Sequence, residues 1–324
     1  MSGYSPCEEF PGYAPRPSET QTPLPTTRVL EVGPPMSLFR LPSLLCVVLA
    51  LAAGCQRPAP PATEPQARRI VSLSPSVTEA LFALGAGAEI VGVSDYTALP
   101  PGTPALPKVG TTFAPNFEAI AKLKPTLLVD QQVKQAPAEA LAALAPLKVL
   151  PWTSLPEVVG SVKELGRLSG REPQAAALAQ RLEQTLSRPA PKDAPRVLLV
   201  LGDVAGTLSE VWYMKRASLH GAALEAAGAR NAVAEERSGP PNLSLEGVIA
   251  LDPDAVLVLI NVPSLDASGQ ARVLAPWKQL TGLRAAREDR VRLVVGPDVQ
   301  STGPAILDVV ERLRAALGTL PPTR

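Results

Sequence analysis

Residues 171–188 read REPQAAALAQRLEQTLSR, and how this stretch is read decides the fold. Pro173 suits a first helical turn, where its missing N–H is not needed. Ala175, Leu178, Ala179, Leu182 and Leu186 recur at three- and four-residue steps, and Pro189, Pro191 and Pro195 forbid continuation. The spacing predicts one helix of about 17 residues, roughly 25 Å long. The sequence on either side reads as two similar α/β units with nothing else joining them. The helix is therefore expected to be a stiff strut between two lobes, with a cleft beside it.

At 324 residues, 46% hydrophobic and 19% charged, the chain is globular in composition and long enough for about two domains. A formal net charge of +1, with no Lys/Arg-rich run, leaves no electrostatic footprint for nucleic acid. Aromatic residues make up only 4%, so a site that stacks rings on a flat ligand has few to draw on.

Residues 1–35 are rich in Pro, Ser and Thr without apolar periodicity, which predicts a disordered lead. From Met36, MSLFRLPSLLCVVLALAAGC has a basic residue at Arg40, an apolar run from Leu44, and small residues before Cys55. That order is an export signal, residues 36–55, too short in its apolar part for a spanning helix. A signal opening at Met36 suggests that Met1 is a misassigned start. The ending LAAGC resembles the lipobox of bacterial lipoproteins, which implies lipidation of Cys55 and a membrane tether in the periplasm. The alternative is a plain cleaved signal. Residues 56–68 form a Pro-rich linker. Cys7 and Cys46 precede the cleavage point, so the mature chain keeps Cys55 alone, with no disulfide and no cysteine metal site.

Residues 69–170 alternate strand and helix. RIVSLSP is a strand, and SVTEALFALGAG a helix, with Ser76 as N-cap and Glu79 completing a capping box. Gly85 and Gly87 follow a helix rather than a strand, so they cap it and form no dinucleotide fingerprint. EIVGVSD, TLLVD and KVLPW are strands; NFEAIAKLKP, PAEALAALAP and LPEVVGSVKELGRLSG are helices. Residues 196–324 repeat the grammar. RVLLVLGD, DAVLVLI and VRLVVG are strands, and RASLHGAALEAAGARN, LSLEGVIALDP and GPAILDVVERLRAAL helices. Such alternation predicts α/β lobes built on parallel sheets.

Taken together, RIVSLSPSVTEALFALGAGAEIVGVSDY, LPKVGTTFAPNFEAIAKLKPTLLV, LEAAGARN and LSLEGVIALDPDAVLV resemble a known family. They are similar to the bacterial substrate-binding proteins that deliver cobalamin, haem or ferric siderophores to ABC importers, and closest in pattern to the cobalamin-binding members. The resemblance covers residue 69 to the C-terminus. It implies the class III architecture, two α/β lobes joined by one long helix with ligand between them, and a monomer. It also implies that a glutamate on each lobe docks onto the membrane permease, at Glu118 in NFEAI and Glu246 in LSLEG.

Ligands of open α/β sheets bind at the carboxyl ends of the strands. Those ends supply Ser74, Pro75, Ser76, Tyr96, Thr111, Thr112, Phe113, Gln131, Trp152, Asn261 and Gln300, and the segment SEVWYMKR adds Trp212, Tyr213, Lys215 and Arg216. A corrinoid is the first choice, its amide groups met by Thr, Gln and Asn. Haem would draw its iron ligand from Tyr96 or Tyr213. A ferric siderophore would meet Lys215, Arg216 and Arg237. His220, the single histidine, sits inside a helix and reads as a packing residue. No cofactor or metal of the protein's own is expected. An exported hydrolase is the weakest alternative, because the chain has neither a Gly-x-Ser-x-Gly elbow nor a P-loop. A tethered sensor lipoprotein is the other.

Overall fold

The computed structural model describes residues 67–131, 137–234 and 239–321. The lead, the export signal, Cys55, most of the linker and Arg237 lie outside the described residues. Two four-stranded parallel sheets organise the chain. In the first, β1 (Ile70–Ser72), β2 (Ile90–Val93), β3 (Leu127–Gln131) and β4 (Leu147–Leu150) stand in the order β2-β1-β3-β4. In the second, β5 (Arg196–Leu201), β7 (Arg230–Asn231), β9 (Ala255–Ile260) and β10 (Val291–Val295) stand in the order β10-β9-β5-β7. A two-stranded antiparallel ribbon, β6 (Val211–Trp212) with β8 (Asn242–Leu243), lies beside β5, to which Tyr213 bridges at Val200.

Helices cover both faces of each sheet, as parallel sheets require. Val71 and Leu128 of the first sheet, with Leu73 just beyond β1, pack against Ile120 of α2 (Phe117–Lys122) and Leu141 of α3 (Ala138–Ala142). The second sheet's Leu198, Val200, Val256 and Val258 meet Val248 of α7 (Leu245–Leu251) and Val273 and Trp277 of α8 (Ala267–Gln279). The largest core fills the remaining face of both sheets at once. It runs from Ile70 and Val129 through α1 (Pro75–Ala83), α4 (Leu155–Ser169), α5 (Glu172–Leu186) and α6 (Leu219–Ala226) to Val197, Leu257 and Leu313 of α10 (Ile306–Gly318).

Helix α5 spans Glu172–Leu186 of the stretch REPQAAALAQRLEQTLSR. Its buried residues are Ala175, Leu178, Ala179, Leu182 and Leu186, the same five that the spacing singled out. Arg171 stands at the N-cap and Ser187 at the C-cap, which trims the expected helix at both ends. As expected of a strut between two lobes, α5 buries one face along its length and leaves the other open to solvent. It lies against α4 so closely that a Cβ on Gly166 would stand 2.3 Å from the Cβ of Ala175.

The capping box expected at Ser76 and Glu79 is corrected. Pro75 takes the first helical position, so Ser74 becomes the N-cap and Glu79 falls two residues past the place from which it could reach back. Gly85 does end the helix, at φ +78, with the Ala86 amide returning to the Leu81 carbonyl at 2.9 Å. Several elements escaped the sequence reading, among them strand β7 and the short helix α9 (Arg284–Arg287). Helix α8 contains Pro276, which disguises its period, and the ribbon strands are only two residues long. Among the described residues no helix is long and apolar enough to cross a membrane.

Candidate functional site

The strand orders place one reversal in each sheet, between β1 and β3 and between β5 and β9. Crevices open outside the carboxyl ends of strands at such points. A glutamine occupies each. At the first, Gln131 ends β3, and its Oε1 accepts the Ser74 hydroxyl at 3.1 Å, joining β3 to the turn after β1. At the second, the Gln300 amide donates to the carbonyl of Leu259 at 2.9 Å and lies 3.4 Å from that of Gly202.

Beneath Gln131 lies a buried polar cluster. The Thr112 hydroxyl shares its proton between the Leu73 carbonyl at 3.0 Å and Oδ1 of Asp130 at 3.1 Å, and the Gln131 backbone N–H gives Oδ1 a second bond at 2.8 Å. Asp130 is 1% exposed, and its Oδ2 has no partner. Burial pushes its carboxyl up to about 6, against the lowering effect of the Thr112 and Gln131 bonds. Thr112 is thus occupied with fixing the strand ends, and its neighbours Thr111 and Phe113 stand closer to solvent.

The strand ends of both sheets carry large apolar side chains exposed to water. Tyr96, just beyond β2, is 82% exposed and Phe113 64%. Beside the second sheet, Trp212 in the ribbon strand β6 is 42% exposed, with Leu201 and Val204 at and beyond the end of β5 similarly open. Tyr96, Phe113 and Trp212 are thus large aromatic side chains left open to solvent in a chain that has few. The loops beyond β1, β4 and β10 touch. The Ser76 hydroxyl lies 2.9 Å from that of Thr302, and the Trp152 indole donates to the Thr302 carbonyl at 2.9 Å.

Several sequence candidates have other work. Trp152 is buried and spends its N–H on Thr302, so it joins the halves rather than lining the opening. Tyr213, at 3% exposure, packs in the core behind β5, and its phenol is withdrawn from any ligand. The alternation of the ribbon decides this: Trp212 faces out and Tyr213 in. Lys215 donates to the Gly239 carbonyl at 3.2 Å, and Arg216 pairs with Glu225 at 3.0 Å. Pro75 and Asn261 are exposed at strand ends as expected. His220 is the packing residue expected; its Nε2 meets the Val299 carbonyl at 3.0 Å, and burial lowers its pKa.

The paired glutamates occupy equivalent places. Glu118 follows the first residue of α2, whose N-cap Asn116 accepts the Ala119 amide; Glu246 holds the same position in α7, whose N-cap Ser244 accepts the Gly247 amide. Both side chains are exposed. Glu118 reaches Lys122 one turn on, at 2.7 Å. Its own backbone N–H, and then the Ser244 hydroxyl, hold the Glu246 carboxyl below its usual range.

The sequence profile of the periplasmic binding proteins matches residues 70–295. The chain belongs to that family. A cobalamin-binding protein of Halobacterium salinarum is 29% identical to this periplasmic binding protein over 313 residues, covering 84% of this chain and 82% of the relative. An uncharacterized ABC transporter substrate-binding lipoprotein of Bacillus subtilis is 27% identical over 263 residues, covering 77% and 80%. Among solved structures, a periplasmic heme binding protein from Pseudomonas aeruginosa superposes with a TM-score of 0.61 at 28% identity, over 79% of this chain and 95% of that one. The family and these relatives are binding proteins of transport systems, not enzymes.

Proposed function

We propose that this periplasmic binding protein holds a bulky metal chelate, foremost a corrinoid, between its two halves and delivers it to an ABC importer. Residues 69–170 and 196–324 act as the lobes. The observation that carries the reading is the exposed apolar surface of Tyr96, Phe113, Leu201, Val204 and Trp212, set around uncharged Thr111, Gln131 and Asn261. Such a lining suits a large, amide-rimmed macrocycle better than a compact anion. The cobalamin-binding relative supports the same ligand. Haem is the second reading, favoured by the heme-binding structural relative and by the exposed phenol of Tyr96. A ferric siderophore is the third.

In this reading Glu118 and Glu246 present matched carboxylates to cationic pockets of the permease. A matched carboxylate at the same helix position in each lobe would fix the protein's orientation on the membrane. Cys55 carries the lipid that keeps the protein beside its importer. The absorption spectrum of protein purified from its native envelope tests the ligand. Corrin bands are expected; a Soret band or a ferric-siderophore band would replace the corrinoid reading. Trp212→Ala and Tyr96→Ala should each weaken cyanocobalamin binding about tenfold by equilibrium titration.

A further inference from the structure

Residues 298–305 follow β10 and belong to the second half, which holds them through Gln300 on the Leu259 carbonyl and through Val299, whose carbonyl meets His220. The first half grips the same loop by a different set of contacts. Ser76 and Trp152 both reach Thr302. Between them stands Glu79, one turn into α1. Its Oε2 accepts the Ser301 hydroxyl at 2.6 Å, and its Oε1 accepts the amide of Ala305 at the start of α10. Both carboxylate oxygens are spent on the loop, at the favourable end of a helix dipole. Gly303 completes the fit: a Cβ there would lie 2.6 to 2.8 Å from the Glu79 carboxyl group, so any other residue would push it away.

We propose that Glu79 sets the resting separation of the two halves, and is thereby a positioning residue for ligand binding that touches no ligand. The shared apolar core holds the halves together without direction, because burial has no preferred geometry. The bonds from Glu79 are directional and of fixed length, and they lie at the strand ends where the opening is defined. Burial raises the Glu79 carboxyl above its usual range, the cost expected of a carboxylate kept in place by its two donors. The consequence for affinity rests on the proposed ligand site; the consequence for separation does not.

The test uses the full chain with Cys7, Cys46 and Cys55 changed to serine, and spin labels on Ala121→Cys in α2 and Lys278→Cys in α8, both exposed positions. Without ligand, Glu79→Ala should broaden and shift the label-to-label distance distribution. Glu79→Gln should restore it, since the amide oxygen still accepts from Ala305 and the amide NH2 can donate to Ser301. Gly303→Ala, a wedge placed from the other side, should reproduce the broadening and serves if Glu79→Ala folds poorly. Cyanocobalamin and haemin, used as probes, should leave the Glu79→Ala protein about tenfold faster than the parent, with Glu79→Gln close to the parent. An unchanged distribution in both Glu79→Ala and Gly303→Ala overturns the proposal. If neither probe binds even the parent, the ligand reading fails, while the distances alone still decide the role of Glu79.

Discussion

Asp130→Asn isolates the electrostatics of the polar cluster under the candidate site. The change keeps shape and keeps Oδ1 as acceptor for Thr112 and for the Gln131 amide. It removes a carboxyl that burial raises from 3.8 to about 6, a rise worth about 3 kcal/mol. The sign follows from proton counting. Between about pH 4 and pH 6 the folded chain holds a proton that the unfolded chain has released, so the free energy of unfolding falls as pH rises through that window. Above it the native state carries the full burden of a buried carboxylate. The asparagine has no such burden, but its NH2 takes the unpartnered place of Oδ2, at a cost of about 1–3 kcal/mol. Near pH 8 the variant should equal or exceed the parent by up to about 2 kcal/mol; near pH 4 it should fall below it by about 1–3 kcal/mol. Urea unfolding at both pH values reads the difference directly. A gap between the two proteins that does not change with pH would refute the reasoning.

Two further outcomes follow from geometry already described. Gly166→Leu drives a side chain into Ala175, and the separation of α4 from α5 should cost about 3 kcal/mol, lowering the thermal midpoint by roughly 5–10 °C in a calorimetric scan; an unchanged midpoint would mean the helices part without penalty. Glu118→Arg combined with Glu246→Arg should abolish uptake of the transported ligand by whole cells while titration of the purified variant shows parental affinity; normal uptake would remove these residues from the docking surface.

The regular part of the fold was legible because its signals are local. The period of α5 named its buried residues, and the apolar runs of β5, β9 and β10 named a sheet covered on both faces. What escaped depends on partners far away in sequence. Nothing near Glu79 announces Ser301, 222 residues on, and a local rule for helix starts gave it a nearer partner instead. Tyr213 looked as available as Trp212 because a two-residue strand is too short to show an alternation. Trp152 was placed correctly at a strand end, yet its indole serves the opposite half, which only the tertiary contact with Thr302 reveals.

The unbroken core through α4, α5 and α6 has a thermodynamic corollary. Leu178, Leu182 and Leu186 are covered jointly, so neither sheet can melt without uncovering apolar surface that the other depends on. Heating should therefore produce one endotherm, not two. By the same logic, cutting the gene at the joint would yield two insoluble fragments rather than a pair of miniature proteins.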